Sequence, residues 1–247
     1  PLDPANNFTL DTEAVKQAFT PETRVLFLNT PGNPGGNVIA EDQLRELAAF
    51  CFARDVWIVC DEVYSMITFG DRHVSLLKAA QTLENVVVID ALSKSHAMTG
   101  WRMGWTVSSK DTARRILDFA SGTIFGCCQF VQDAAAFALN NDEEYTRAIA
   151  DEYRMRRDYA LDRISGIAGV SANTPQAGMF IMLNVGRVAP DGLAFAAGLL
   201  EHGGVSVLPG RAFGEITDQF VRLSLTHPVH VMSKAFDRIE NYILSLK

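Results

Sequence analysis

Ser93-Lys94-Ser95-His96-Ala97-Met98-Thr99-Gly100-Trp101-Arg102-Met103-Gly104-Trp105 is the stretch on which the rest of the chain turns. Before it stands Val86-Val87-Val88-Ile89-Asp90, short and β-branched, the composition of a buried parallel strand. Lys94 therefore falls just past a strand's carboxyl end, where open α/β sheets place their ligands. Arg102 follows across a turn at Thr99-Gly100. An amine can form a Schiff base with a carbonyl, and a guanidinium can hold a phosphate through two parallel hydrogen bonds. A surface lysine and arginine in a strand-to-helix loop fit the same spacing, and from this stretch alone both readings stay open.

Outward from this stretch the chain alternates strands and helices. Residues 24–29 read as a buried strand, and residues 30–36, with two prolines and three glycines, as a rigid loop at its carboxyl end. Leu44, Leu47, Ala48 and Cys51 recur at helical spacing and predict an amphipathic helix over 40–54. Residues 56–60 are the next strand, ending in Asp61, an acid that can act as a ligand or as a helix cap. Residues 103–107 read as a strand leaving the site. This is the pattern of a wound α/β sheet. Residues 13–19, 111–120 and 129–139 are further helices, and 142–164 is a long charged one that fits either a bridge between lobes or a solvated surface helix. Beyond Gly166 the pattern becomes α+β. Residues 179–185, 205–208 and 219–225 read as strands, with a helix over 192–202. A final helix is lined by Val229, Met232, Phe236, Ile239 and Ile243.

Composition bounds the partners. The chain has 247 residues, 48% of them hydrophobic, with a formal charge of −7. Such a balance argues against nucleic acid or an anionic membrane as the main partner. No apolar run approaches the roughly 20 residues of a membrane span. The four cysteines lack metal-ligand spacing, so no metal site is expected; buried free thiols in a reducing cytoplasm are the reading. No targeting segment is visible in a chain that starts at Pro1.

Ser-Lys followed by Met-Thr-Gly-Trp-Arg-x-Gly resembles the lysine segment of the class I and II pyridoxal-phosphate aminotransferases, the fold type I or aspartate aminotransferase superfamily. Asn33-Pro34-Gly35-Gly36, Asp61-Glu62-Val63-Tyr64 and Val221-Arg222-Leu223-Ser224 resemble that family's other signatures, in the family's order. The resemblance implies a three-layer, mostly parallel sheet for residues 1–150, the partial cofactor-binding large domain, and a bridging helix with a small α+β domain over 151–247. It implies transfer of an amino group from an amino acid to a 2-oxo acid through a Lys94 aldimine, with pyridoxal 5′-phosphate as cofactor and a cytoplasmic homodimer as the complete protein. By the same resemblance Asp61 pairs with the cofactor's pyridine nitrogen, Asn33 and Tyr64 hydrogen-bond its 3-oxygen, and Arg102 holds its phosphate. Arg222 and Asn33 bind substrate, Arg222 through a fork to the α-carboxylate that lysine could not reproduce. An edge-strand surface charge is the other reading of Arg222.

The sequence also departs from the family. Ala91 stands where a serine often donates to the phosphate, a contact that Ser93 is placed to supply. The family's glycine-rich phosphate loop and ring-stacking aromatic have no counterpart here, which reads as an amino-terminally truncated fragment whose own activity is in question. Residues 122–128 carry no arginine of the kind that dicarboxylate-specific relatives use, and the segments around 93–105, 179–180 and 204–208 are most similar to arginine–pyruvate transaminases. The same lysine, aspartate and arginine would serve a carbon–sulfur lyase, and the fold also occurs as the cofactor-binding domain of transcription regulators.

Overall fold

The computed structural model describes residues 2–70 and 73–246. They form two compact units. One comprises Asp11–Pro31 with Val38–Ala150, and the other residues 2–10, 32–37 and 151–246.

The first unit opens with α1 (Thr12–Gln17), capped by Asp11, whose Oδ1 accepts from the Glu13 and Ala14 N–H groups. Then follow β1 (Val25–Asn29), α2 (Glu41–Phe52), β2 (Trp57–Asp61), α3 (Leu76–Ala79), β3 (Val86–Ala91), the single turn α4 (Leu92–Ser95) and β4 (Gly104–Ser108). Two longer helices, α5 (Lys110–Thr123) and α6 (Gln129–Asn140), precede α7 (Glu143–Ser165), which continues past the end of this unit. The strands form one sheet in the order β1-β2-β3-β4, the first three parallel and β4 antiparallel. All four strands lie where the sequence pattern put them. At the carboxyl ends the register aligns Asn29 with Asp61, Asp61 with Ile89, and Ala91 with Gly104. Gly104 has a packing reason: a Cβ there would stand 2.9 Å from the Asp90 carbonyl oxygen and 3.1 Å from the Ala91 Cβ.

Burial follows the strand period of two. Ile58 and Cys60 of β2 and Val86 and Val88 of β3 are buried, as are Leu44, Leu47, Ala48 and Cys51 of α2. Each of the valine, leucine and isoleucine side chains among them contributes roughly 1.5–3 kcal/mol on leaving water. On the other face β1 departs from the expected buried strand, because Phe27 is 61% exposed. There Trp57 joins Ile116 and Phe119 of α5 around an open cavity of about 580 Å³. The apolar stripes expected on α5 and α6 exist, yet Phe119, Phe130 and Phe137 stay largely in solvent.

The second unit contains β5 (Ser171–Ala172), β6 (Phe180–Asn184), α8 (Gly192–Gly198), β7 (Leu208–Pro209), β8 (Phe220–Ser224) and α9 (Val229–Ser245). Its antiparallel sheet has the order β5-β6-β8-β7. One face packs Ile181, Leu183, Val221 and Leu223 against Ala160 and Ile164 of α7, Phe195 of α8 and Phe236 and Ile239 of α9. The other gathers Met182 and Phe220 around Phe8.

Two expectations are corrected in this unit. The helix over 192–202 is not uniform: after Gly198 the chain widens into a π-helical turn, Leu199–Gly203. Tyr242 packs closely at the junction, since a Cβ at Gly198 would lie 2.0 Å from its hydroxyl. The strand expected over 205–208 shrinks to Leu208–Pro209. Residues 205–207 have strand composition but no ladder partner; they leave a left-handed Gly204 (φ 64°) and line a cavity of about 440 Å³ with Met232 and Phe236. Among the described residues no helix is long and apolar enough to cross a membrane.

Candidate functional site

In the first unit, five of the residues singled out from sequence lie at one edge of the sheet. Asp61 ends β2, and Tyr64 follows it by three residues, buried. The β2 end is tied to its neighbour, because the Thr30 N–H and Asn29 Nδ2 both donate to the Asp61 carbonyl, at 3.0 and 3.2 Å. The side chain of Asp61 accepts from the Val63 N–H at 3.2 Å. That bond closes a local turn and caps no helix, because none begins here, so the helix-cap reading is not realised, and the rest of the carboxylate's acceptor capacity is not consumed. Ser93 and Lys94 ride on α4 immediately after β3, both half-buried. Among the described residues the Lys94 ammonium has no hydrogen-bond or ion-pair partner. Arg102 is exposed and left-handed (φ 54°), and its Nη1 donates to the Thr99 carbonyl at 2.7 Å, within its own turn. β4 then departs from the same edge.

This edge therefore carries an unpaired amine, a carboxylate with open acceptor positions, a buried phenol and a guanidinium held only by its own turn. Such a set fits a group with an aldehyde, a basic ring nitrogen and a phosphate, the functional groups of pyridoxal 5′-phosphate.

Asn33 and Arg222 belong to the second unit, and they meet. The Arg222 Nη1 donates to the Asn33 Oδ1 at 2.8 Å. The Arg222 guanidinium lies 3.8 Å from the Phe180 ring centroid and 4.9 Å from that of Phe213. The edge-strand reading of Arg222 is wrong: β8 is an interior strand, and Arg222 pairs with Met182 on one side and Leu208 on the other. Its neighbours Val221 and Leu223 are buried in the core on the opposite face, as alternation requires. The loop carrying Asn33 is fixed by backbone. The Asn173 Nδ2 donates to the Gly35 carbonyl at 2.6 Å, and the Gln176 and Ala177 N–H groups donate to that of Gly36. Gly36 is left-handed (φ 67°), and a Cβ there would sit 2.4 Å from the Pro175 Cβ and 2.5 Å from the Ala177 oxygen.

The structure adds residues that sequence pattern did not single out. Glu62 is buried; its Oε1 accepts from the Leu76 N–H at 2.8 Å, and its Oε2 is 3.3 Å from the His73 Nε2. Asp90 accepts from the Ser65 hydroxyl at 3.3 Å, and burial pushes its carboxyl up to about 6. His96 and Ser95 are both buried, with Nδ1 and Oγ 2.9 Å apart. The signal for Asp90 was in plain sight, an acid ending an apolar strand. The partners of His96 and Glu62 lie too far along the chain for pattern to find. The cysteines divide: Cys51 and Cys60 are buried, and burial raises both thiols, Cys51 to about 11, whereas Cys127 and Cys128 are exposed, against expectation. Among the described residues no group of three His, Cys, Asp or Glu side chains is placed to hold a metal ion.

Comparison with known proteins shows the family. A family model described as aminotransferase class I and II matches residues 1–239. An arginine–pyruvate transaminase of Pseudomonas aeruginosa is 36% identical over 239 residues, covering 97% of this chain and 61% of that protein. A probable N-acetyl-LL-diaminopimelate aminotransferase of Bacillus subtilis is 31% identical, covering 97% and 60%. An aromatic aminotransferase structure from Pyrococcus horikoshii superposes with a TM-score of 0.94 at 28% identity, over 99% of this chain and 66% of that one. The chain thus spans about three fifths of the length of the curated relatives it matches.

Proposed function

We propose, on the premise that this chain belongs to the class I and II aminotransferases, that the protein transfers an amino group from an amino acid to a 2-oxo acid with pyridoxal 5′-phosphate. The observation that carries the proposal is Lys94, unpartnered among the described residues, on a single turn after a parallel strand of a mixed sheet, one strand away from Asp61. When bound, the cofactor supplies an aldehyde that condenses with amines and a ring that accepts electron density from the substrate's α-carbon.

The chain's own residues do the rest. The Lys94 Nζ would hold the cofactor's aldehyde and would move the proton taken from the substrate's α-carbon. Asp61 holds a proton on the ring nitrogen by charge pairing. Tyr64 and Asn33 hydrogen-bond the 3-oxygen, while Arg102 and Ser93 hold the phosphate. Arg222 takes the substrate's α-carboxylate as a fork, its guanidinium oriented by Asn33 and the Phe180 ring. In this reading residues 1–150 are the cofactor-binding large domain, and residues 151–247 the bridging helix and small domain. Arginine and pyruvate are the favoured substrates, supported by the named Pseudomonas relative. The complete enzyme is a homodimer, a reading supported by the exposed Leu117, Phe119, Ile124 and Phe125. It works in amino acid biosynthesis or breakdown in the cytoplasm, where four unbridged cysteines are at home.

The test is the visible absorbance of the cofactor-loaded protein beside transfer from arginine to pyruvate. Lys94→Ala is expected to abolish both. Full turnover in Lys94→Ala would remove the lysine from the mechanism, and ammonia released from a cysteine conjugate without transfer would replace the transferase with a lyase.

A further inference from the structure

The turn that carries Lys94 is too short to hold itself. α4 is four residues long, has no side-chain cap, and ends where the His96 N–H donates to the Leu92 carbonyl at 3.1 Å. One helical turn fixes six dihedral angles for a single hydrogen bond, so its orientation has to be imposed from outside.

The contacts that impose it converge on His96. The Ser95 Oγ lies 2.9 Å from its Nδ1. Its Nε2 faces the Asp142 carboxylate, with Oδ2 at 3.7 Å. The Tyr145 hydroxyl donates to the His96 carbonyl at 3.4 Å, and the two rings are 6.1 Å apart. Asp142 is itself fixed, because the N–H and Oγ1 of buried Thr146 both donate to its carbonyl at 2.8 Å. The turn with the reactive amine is thereby clasped to the residues that begin α7, 46 positions downstream by the count from His96 to Asp142.

The chemistry of the clasp follows from burial. The titratable groups placed against His96 are Asp142 and Tyr145, with Lys94 on its own turn. Burial lowers the pKa of His96, and the Asp142 charge opposes this. A neutral ring facing a carboxylate carries its proton on Nε2, which leaves Nδ1 to accept from the Ser95 hydroxyl. At 3.7 Å the Nε2 is buried without a hydrogen bond. A buried donor left unpaired is costly, so the pair gains on closing by under an ångström.

We propose that Asp142 is a positioning residue for Lys94, acting through His96 and assisted by Tyr145. The existence of the clasp is independent of the reaction; its effect on turnover rests on the aminotransferase reading. Two measurements test it in the full chain. The first is the pH titration of His96 by ¹⁵N NMR, without cofactor. Wild type is expected to show the Nε2–H tautomer, and Asp142→Asn to titrate at lower pH because the opposing charge is gone. The second is steady-state kinetics with the cofactor bound. Asp142→Asn is expected to lower kcat by about five- to tenfold, the worth of the charge-assisted contact made when the pair closes, with KM and cofactor affinity within about twofold. Asp142→Glu should recover part of the loss, and Tyr145→Phe should show a smaller loss of the same kind. A residue that merely held up the fold would lower the melting temperature and leave the His96 titration unmoved. An unmoved His96 titration in Asp142→Asn overturns the clasp; a moved titration with unchanged kcat overturns the positioning role. Should wild type neither bind cofactor nor transfer amino groups, the functional reading fails, and the titration alone decides the clasp.

Discussion

Replacing Arg222 should separate substrate binding from cofactor binding. Its guanidinium spends one donor on the Asn33 Oδ1 at 2.8 Å and lies against the Phe180 ring at 3.8 Å. A stacked, planar cation is thus presented from an interior strand with little freedom to reorient. Losing one charge-assisted contact costs about 1.5–3 kcal/mol, roughly 10- to 150-fold. Arg222→Ala should therefore cut kcat/KM for amino acid and 2-oxo acid by at least that factor, while the cofactor dissociation constant stays near the wild-type value. Arg222→Lys keeps the charge but not the fork and should recover only part. Asn33→Ala, which removes that hydrogen bond and keeps the guanidinium, should fall between wild type and Arg222→Ala. The assay pairs cofactor titration by absorbance with kcat/KM for an amino acid and for the matching amine without its carboxylate. Arg222→Ala should erase the preference for the acid. An acid-to-amine ratio unchanged in Arg222→Ala would show that the carboxylate is bound elsewhere.

Two stability predictions accompany it. Burial raises the Asp90 carboxyl from its ordinary 3.8 to about 6, so the folded state keeps a proton that the unfolded chain has released, and stability should fall as pH rises from about 4 to about 6. Asp90→Asn should flatten that slope and gain on the order of 1–2 kcal/mol at pH 7 in urea unfolding; an unchanged slope would refute the assignment. Gly36→Ala forces a Cβ into Pro175 and the Ala177 carbonyl at a left-handed position, and should cost at least about 2 kcal/mol and reduce acid-over-amine preference in step with Arg222 variants. A Gly36→Ala protein with wild-type melting temperature would show that the loop relaxes freely.

The sheet of the first unit was legible because its strands announce themselves twice, by β-branched composition and by chain punctuation. Residues 24–29, 56–61, 86–90 and 103–107 needed no tertiary information to be placed side by side once the family resemblance supplied the order. Lys94, Asp61, Tyr64, Ser93 and Arg102 were legible for the same reason: they sit at or just beyond the ends of those strands. What escaped the pattern depends on a partner remote in sequence. The π turn at Leu199–Gly203 has no local signature, and the close approach of Tyr242 to Gly198 just before it comes from some forty residues later. Residues 205–207 look like a strand and lack a ladder partner. The exposure of Phe27, Phe119 and Cys127 is equally invisible locally, because apolar composition records an affinity for burial and not the presence of something to be buried against.

Arg222 and His96 show how the same limit bears on chemistry. Alternation along β8 set Arg222 on the face opposite Val221 and Leu223, and stopped there. Only the sheet order shows that the strand is interior, and only then does the Phe180 stack explain why arginine and not lysine fits the position. His96 sits inside the most recognisable motif of the chain, two residues from Lys94, yet nothing in that motif names Asp142. A motif identifies the groups that meet a ligand because the ligand dictates their types. The groups that hold those in place answer to the fold, and any residue of suitable charge that the topology brings near can serve. Asp142, at the foot of a helix that begins 49 residues after Lys94 by the count from Lys94 to Glu143, is such a residue. Its contribution to the lysine can therefore be removed by substitution without altering a single residue of the motif.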